Sequence, residues 1–342
     1  MKITLDKIAS VTKNALLPRE VNITPDFEPE NGLLVVVQVL EEKKIYNQLE
    51  LASGRLSTLK KGDIIAVALG NRKALKGFVG QTPDNLKVGD TIHILNLGGV
   101  AGICTGENFK EVGHALPVKV LGAITDGQKY LTTKHFKKFD GKKSLDSTTP
   151  LIIVSGTCMN VGKTTAACEI INLASQKKHR VAGAKLAGIA ALRDTENMND
   201  HGAIDSVSFL DAGLTSTVQN NGHAVAVTKG AIDFLSNNQT DLIVIEFGDG
   251  VFGEYGVQDI LKDPEIQKNI IAHIGCAHDP MGAMKLSEIC AEIGAPLSLI
   301  SGPVTDNEVG IDFIKNSINL PAFNALTDSV GLFEFVASRI GY

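Results

Sequence analysis

Nine consecutive residues, Gly156-Thr157-Cys158-Met159-Asn160-Val161-Gly162-Lys163-Thr164, carry the most specific chemistry in this 342-residue chain. An apolar run, Leu151–Ser155, precedes them. A segment with apolar residues at helical spacing follows: Ala166, Ile170, Ile171, Leu173 and Ala174 within 163–178. Strand, glycine-bearing loop and helix in that order suit phosphate binding, because the N–H groups at a helix start point outward and the helix dipole favours an anion there. Lys163 would neutralise the β/γ-phosphates, and the Thr164 hydroxyl would join a Mg²⁺ shell. The plainer reading of Thr164 is a helix cap, and that of Lys163 a solvated lysine, but a cation at a helix start is disfavoured without an anion to meet. Five residues separate Gly156 from Gly162, one more than in the common phosphate loop, and Thr157 holds the usual position of the first glycine. Expected nucleotide contacts are Gly156, Thr157, Asn160, Val161, Gly162, Lys163, Thr164 and Thr165.

Further along, Glu246 ends the apolar run Leu242–Ile245. A carboxylate at the C-terminal end of a parallel strand lies where α/β sheets bind ligands, so Glu246 is the expected Mg²⁺ partner, with a buried or capping glutamate as the alternative. Mg²⁺ needs only one or two carboxylates beside phosphate oxygens. Asp205 is a third metal candidate, with Asp194, Asp200 and Asp211 close enough in sequence to compete.

The loop resembles the variant phosphate loop of dethiobiotin synthetases, which reads G-T-D-T-x-V-G-K-T at the same length. Three shorter stretches are similar to that family too. Arg180–Gly188 (RVAGAKLAG) matches its second strand ending in a lysine, Glu246–Gly250 (EFGDG) its E-G-A-G-G turn, and Asp205 an aspartate in its N-x-D-A-x-x-L context. The resemblance spans roughly 151–305. It implies a P-loop NTPase domain using ATP and Mg²⁺, with Lys163, Lys185 and Glu246 catalytic, Lys185 facing the acceptor, and Thr164, Asp205 and Glu246 around the metal. Cys158, Met159 and Asn160 stand where the family has Asp-Thr-x, Leu186 replaces a proline, and Phe247 replaces a glycine. These departures, and a preceding segment the family lacks, point away from dethiobiotin formation itself.

The elements that must position these residues follow from the pattern. Runs at 151–155, 241–246, 269–275 and 296–301, with RVAGAKL between the first two, alternate with helix-like segments. Such alternation implies a mostly parallel sheet covered on both faces. Residues 1–125 read as β-rich instead. Leu59-Lys-Lys-Gly-Asp is echoed by Leu86-Lys-Val-Gly-Asp, each a Gly-Asp turn feeding a strand (64–69 and 91–95). A small barrel or sandwich is the expectation. A Lys-rich linker, 126–149, separates this domain from an α/β domain over 150–342. The polar stretch 194–205 reads as a mobile loop over the site.

Composition narrows the classes. Hydrophobic residues are 44% and charged residues 21%, an ordinary globular balance, and the net charge is −5 with no Trp. That balance makes a general nucleic-acid binder, which needs a basic face, a poor expectation. Five cysteines without a C-x-x-C pair fit a reduced setting, and no run reaches the roughly 20 apolar residues that span a bilayer. The reading is a soluble cytoplasmic protein with a small-molecule substrate, no nucleic acid, no membrane, and a homodimer allowed by the fold. The leading function is an ATP- and Mg²⁺-dependent phosphoryl-transfer enzyme, a ligase or kinase acting on a small carboxylate or amine. The alternative is a regulatory or sensor NTPase whose β-domain contacts a partner. His278, Asp279, Cys158 in the loop and 301–310 are lesser candidates, and 301–310 lacks the N-K-x-D pattern of GTP readers.

Overall fold

The structure, a computed structural model, describes residues 1–218 and 222–339. Two compact units divide the chain. The first takes Met1–Lys138, Ile189–Arg193 and Phe209–Val218, and the second takes Phe139–Gly188, Asp194–Ser208 and Gln219–Tyr342.

In the first unit, strand pairings close a ring. Leu34–Val39 pairs with Ile64–Leu69, then come Val100–Glu107, Thr91–Ile94 and Leu116–Thr125, which returns to Leu34–Val39. Only the seam between Ile64–Leu69 and Val100–Glu107 is parallel within that ring. Closure leaves these strands no open edge, which is how a small all-β unit avoids edge pairing. The sequence echo is one turn built twice. The N–H groups of Lys60 and Lys87 donate to the carboxylates of Asp63 and Asp90 at 2.7 and 2.8 Å. Gly62 and Gly89 have φ of +93° and +96°, and space around both is open, so backbone angle rather than crowding selects glycine there.

A buried carboxylate draws a distant segment into this unit. Glu50, 3% exposed, accepts the Ser10 hydroxyl and the N–H groups of Leu192 and Arg193, the latter two at 2.7 and 2.8 Å. Asn96 Nδ2 also donates to the Ala190 carbonyl at 2.7 Å.

The second unit holds a six-stranded sheet. Its strands are β1 (Leu151–Gly156), β2 (Val181–Ala187), β3 (Ser206–Ser208), β4 (Leu242–Phe247), β5 (Ile270–Cys276) and β6 (Leu299–Ser301), in the order β3-β2-β4-β1-β5-β6. Every pairing in it is parallel. β1, β2 and β4 are buried along their whole length, as strands covered on both faces must be. The chain leaves β1 toward β2 on one side and later crosses to β5 on the other. The C-terminal edge of β1 is therefore the topological switch point, where α/β sheets place ligands. This is an α/β domain with a parallel sheet and a glycine-bearing loop after its central strand, accompanied by a barrel-like β unit.

Helix α1 (Lys163–Gln176) follows β1, and its apolar face, with Ala166, Ile170, Ile171 and Ala174, joins the core around Ile152, Val154 and Val244. Residues 194–205 depart from the mobile-loop expectation: Arg193–Asp200 is a helix, α2, with Thr195 and Met198 buried at i, i+3 spacing. Gly183 leaves room for Met198, since a Cβ there would lie 2.7 Å from its sulfur. Lys-rich residues 139–149 also pack: Lys142 Nζ reaches Asp233 at 2.6 Å, and the Ser147 N–H reaches the same carboxylate at 2.8 Å. Both partners sit with helix α3 (His223–Ser236).

One polar pair lies inside the sheet. Ser155 Oγ on β1 and His273 Nε2 on β5 are 2.7 Å apart, and His273 Nδ1 lies 2.9 Å from the Ala295 carbonyl oxygen. Burial pushes His273 down to about 4. Unfolded His273 binds a proton between about pH 4 and 6.5 that the folded residue does not, so its contribution is present above pH 6.5 and lost as pH falls toward 4. We expect this group to remove about 3 kcal/mol across that window, and His273→Gln to flatten the acid limb of denaturation midpoints plotted against pH. Glu50→Ala should cost the first unit roughly 3 kcal/mol, because two amides and a hydroxyl lose a charged acceptor; chemical denaturation reads it.

Candidate functional site

The loop between β1 and α1 is shaped by its backbone. Gly156 ends β1 where a Cβ would meet the Cys276 carbonyl and Val161 Cγ2, both at 2.8 Å. Asn160 and Gly162 have φ of +62° and +85°. Residues of that hand let successive N–H groups face one side, the geometry of an anion-binding nest. Gly162 is the helix N-cap and has no side chain to cap with. The first closing bond of α1 runs from the Ala166 N–H to the Gly162 carbonyl at 3.0 Å. The N–H groups of Lys163, Thr164 and Thr165 are thus the donors that helix bonding leaves over.

Neighbouring turns press against this loop. The Thr157 N–H donates to the Cys276 carbonyl, and the Val251 N–H to the Gly156 carbonyl, each at 3.0 Å. A Cβ on Gly250 would collide with the Thr157 carbonyl, and one on Gly302 with the Val161 carbonyl. Glycines after β4 and β6 therefore let two turns lie flush on the phosphate loop.

Side chains converge at the same edge. Lys163, 6% exposed, arches over the loop and donates to the Cys158 carbonyl at 2.6 Å. Burial lowers its pKa, and the positive charge of Lys185 lowers it further against the pull of Glu246. Thr164 Oγ1 donates to Glu246 Oε1 at 2.9 Å. Lys185 lies directly across from Glu246 in the β2–β4 register, and its Nζ donates to the same Oε1 at 2.7 Å. Lys185 Nζ also pairs with Asp194 Oδ2 at 2.8 Å. Burial alone would lower Lys185, but Asp194 and Glu246 outweigh it and hold the ammonium above the usual lysine range. Glu246 is raised, chiefly by its burial and also by Asp194, with Lys185 pulling the other way. Its second oxygen, Oε2, is buried without a hydrogen-bond partner. Burial pushes the Cys276 thiol beneath the loop up to about 12, so it is neutral.

These donors suit a hard divalent cation, which takes carboxylate, hydroxyl and phosphate oxygens. Thr164 and Glu246 are the residues that would hold it, and the unpartnered Oε2 is an oxygen with capacity to spare. Among the described residues no group of three or more His, Cys, Asp or Glu could hold a metal. Phosphate oxygens would have to supply the rest.

The expected residues divide by place. Gly156, Thr157, Asn160, Val161, Gly162, Lys163, Thr164 and Thr165 line the loop and helix start, and Lys185 and Glu246 join them. Asp205 is not brought there. It immediately precedes β3, at the opposite end of the strands, and its Oδ2 accepts from Asn238 Nδ2 at 2.9 Å. Asp194 takes the place near Glu246 instead, because α2 starts beside it. Asp279 caps the helix Pro280–Glu292 through the Gly282 N–H at 3.0 Å, and His278 is exposed. Gly250 and Gly302 stand inside stretches singled out in the sequence, EFGDG and 301–310, but their packing against the loop was not read there.

Comparison with family models and with curated proteins finds no match. Among solved structures, the chain is similar to the signal recognition particle receptor FtsY from Elizabethkingia anophelis, at 12% identity and TM-score 0.42, covering 61% of this chain and 69% of that one. It is also similar to the signal recognition particle 54 kDa protein from Aeropyrum pernix K1 in complex with GDP, at 15% identity and TM-score 0.40, covering 57% and 47%. The hydrogenase maturation factor HypB from Archaeoglobus fulgidus is similar at 13% identity and TM-score 0.37, covering 57% and 91%. Among the described residues no helix is long and apolar enough to cross a membrane.

The fit of Gly250 against the loop is testable by itself. Gly250→Ala forces a methyl onto the Thr157 carbonyl, and we expect a loss of about 1–3 kcal/mol in the α/β unit, read by thermal unfolding.

Proposed function

We propose that this protein binds a nucleoside triphosphate with Mg²⁺ at the β1–α1 loop and transfers its terminal phosphoryl group to a small carboxylate or amine acceptor. The observation that carries the reading is the convergence on one strand edge of Lys163 over the loop and of the Thr164–Glu246 pair beside it. Phosphoryl transfer rests on positioning and charge stabilisation more than on covalent help, and these groups supply both. The loop and helix-start amides would cradle the phosphates, and the Lys163 ammonium would leave the Cys158 carbonyl to meet them. Mg²⁺, when bound, would neutralise charge on the phosphate oxygens. Thr164 and Glu246 would hold it, and Lys185 would keep Glu246 oriented from the neighbouring strand. The resemblance of the loop to dethiobiotin synthetases supports acyl- or carbamoyl-phosphate chemistry, while Cys158, Met159, Asn160 and Phe247 favour a different acceptor. ATP is the proposed nucleotide, on the lack of an N-K-x-D stretch in 301–310.

Titration with fluorescent ATP and GTP analogues tests the binding step. Lys163→Ala should weaken affinity about 10- to 100-fold, the worth of a charge-assisted contact. Unchanged binding would remove the basis of the reading. For transfer, ADP release should depend on an added small acid, and hydroxylamine should trap an acyl phosphate. Tight binding with nucleotide-dependent dimerisation and no acceptor-stimulated turnover would favour the regulatory NTPase instead.

A further inference from the structure

Lys185 is more than a neighbour of the cation site. Its ammonium sits 2.7 Å from Glu246 Oε1 and 2.8 Å from Asp194 Oδ2, on a side chain only 11% exposed. Thr164 Oγ1 lies 2.9 Å from that same Glu246 oxygen. Two carboxylates around one small cation are part of the coordination a divalent metal seeks, and here a lysine occupies the place between them. Between Glu246 and Asp194 the Lys185 ammonium already supplies a positive charge. A divalent cation entering the nucleotide-free protein there would have to approach that fixed ammonium closely. The nucleotide's phosphates change that. Glu246 Oε2, buried and without a hydrogen-bond partner, is then the atom left to meet the cation.

We propose that Lys185 is a metal-excluding residue. It stands in for a divalent cation between Glu246 and Asp194, so that the nucleotide-free protein takes no metal and the cation enters only together with phosphate. This rests on the reading that Thr164 and Glu246 face the cation. It adds that Asp194 completes a latent metal site masked by a lysine.

The test needs no turnover. Mn²⁺, a spectroscopic substitute for Mg²⁺, is titrated into nucleotide-free protein, and free Mn²⁺ is followed by electron paramagnetic resonance. Wild type should hold little Mn²⁺ at sub-millimolar concentration. Lys185→Met, which removes the charge and keeps most of the volume, should bind it at least about tenfold more tightly. Adding Asp194→Asn to Lys185→Met should abolish that gain. Should Lys185→Met fail to fold, judged by circular dichroism, Lys185→Gln is neutral and retains a hydrogen bond to a carboxylate, and it should show the same gain. The proposal is overturned if nucleotide-free wild type already binds Mn²⁺ as tightly as the variants. It is also overturned if folded neutral variants bind no better than wild type, or if the gain survives Asp194→Asn. Nucleotide binding by wild type is scored separately. Its failure would count against the proposed function, whereas the Mn²⁺ comparison reads Lys185 alone.

Discussion

Glu246 is the group around which the α/β unit is arranged. It closes a strand buried on both faces, and a lone carboxylate so placed would carry a large desolvation penalty. The protein meets that penalty from two directions, with the Thr164 hydroxyl from the helix after the phosphate loop and the Lys185 ammonium from the adjacent strand. Each partner fixes an element: Thr164 sets the start of α1 against β4, and Lys185 locks β2 to β4 in register. Asp194 then secures Lys185 from α2. Breaking one member would strand the charge of the others, which makes this network a condition of the site as well as its chemistry.

Backbone packing imposes a second constraint, independent of charge. The phosphate loop is held open by main-chain bonds from Cys276 and Val251 and by two glycines, Gly250 and Gly302, that bring neighbouring turns against its carbonyls. These contacts fix the loop at the start of α1, where helix bonding leaves amides over. The barrel unit follows a separate logic. Its strands close a ring of pairings, and two Gly-Asp turns feed two of them. Its buried Glu50 has both oxygens committed to protein donors, so it is a structural anchor in contrast to Glu246.

Much of this was legible in the residues. The strand–loop–helix around Gly156 to Thr164 is a local pattern, and local patterns survive folding because their hydrogen bonds close within a few residues. Five of the six parallel strands were visible as short apolar runs, while the three-residue Ser206–Ser208 was not, and the repeated turns at Asp63 and Asp90 were visible as an echo. Asp205 was misplaced for an instructive reason. The resemblance favoured Asp205, with Asp194, Asp200 and Asp211 competing by sequence proximity, but the chain from Arg193 to Asp200 forms α2. Asp194 falls at the helix start, near the C-terminal end of β2, while Asp205 falls at the start of β3, one strand length away. The apparent mobile loop is a helix whose buried Met198 occupies the space left by Gly183, a contact between elements that sequence proximity does not show.

By itself, then, the amino-acid order determined which backbone could cradle an anion and which strands would be buried, since both depend on neighbours along the chain and on simple hydrophobic periodicity. Tertiary structure alone decided which carboxylate meets which ammonium, that Lys185 is spent on Glu246 and Asp194, and that Gly250 and Gly302 brace the loop. The physical reason is that these contacts join residues tens of positions apart. Their energies depend on burial and on distances of a few ångströms, and neither quantity exists until the sheet has assembled.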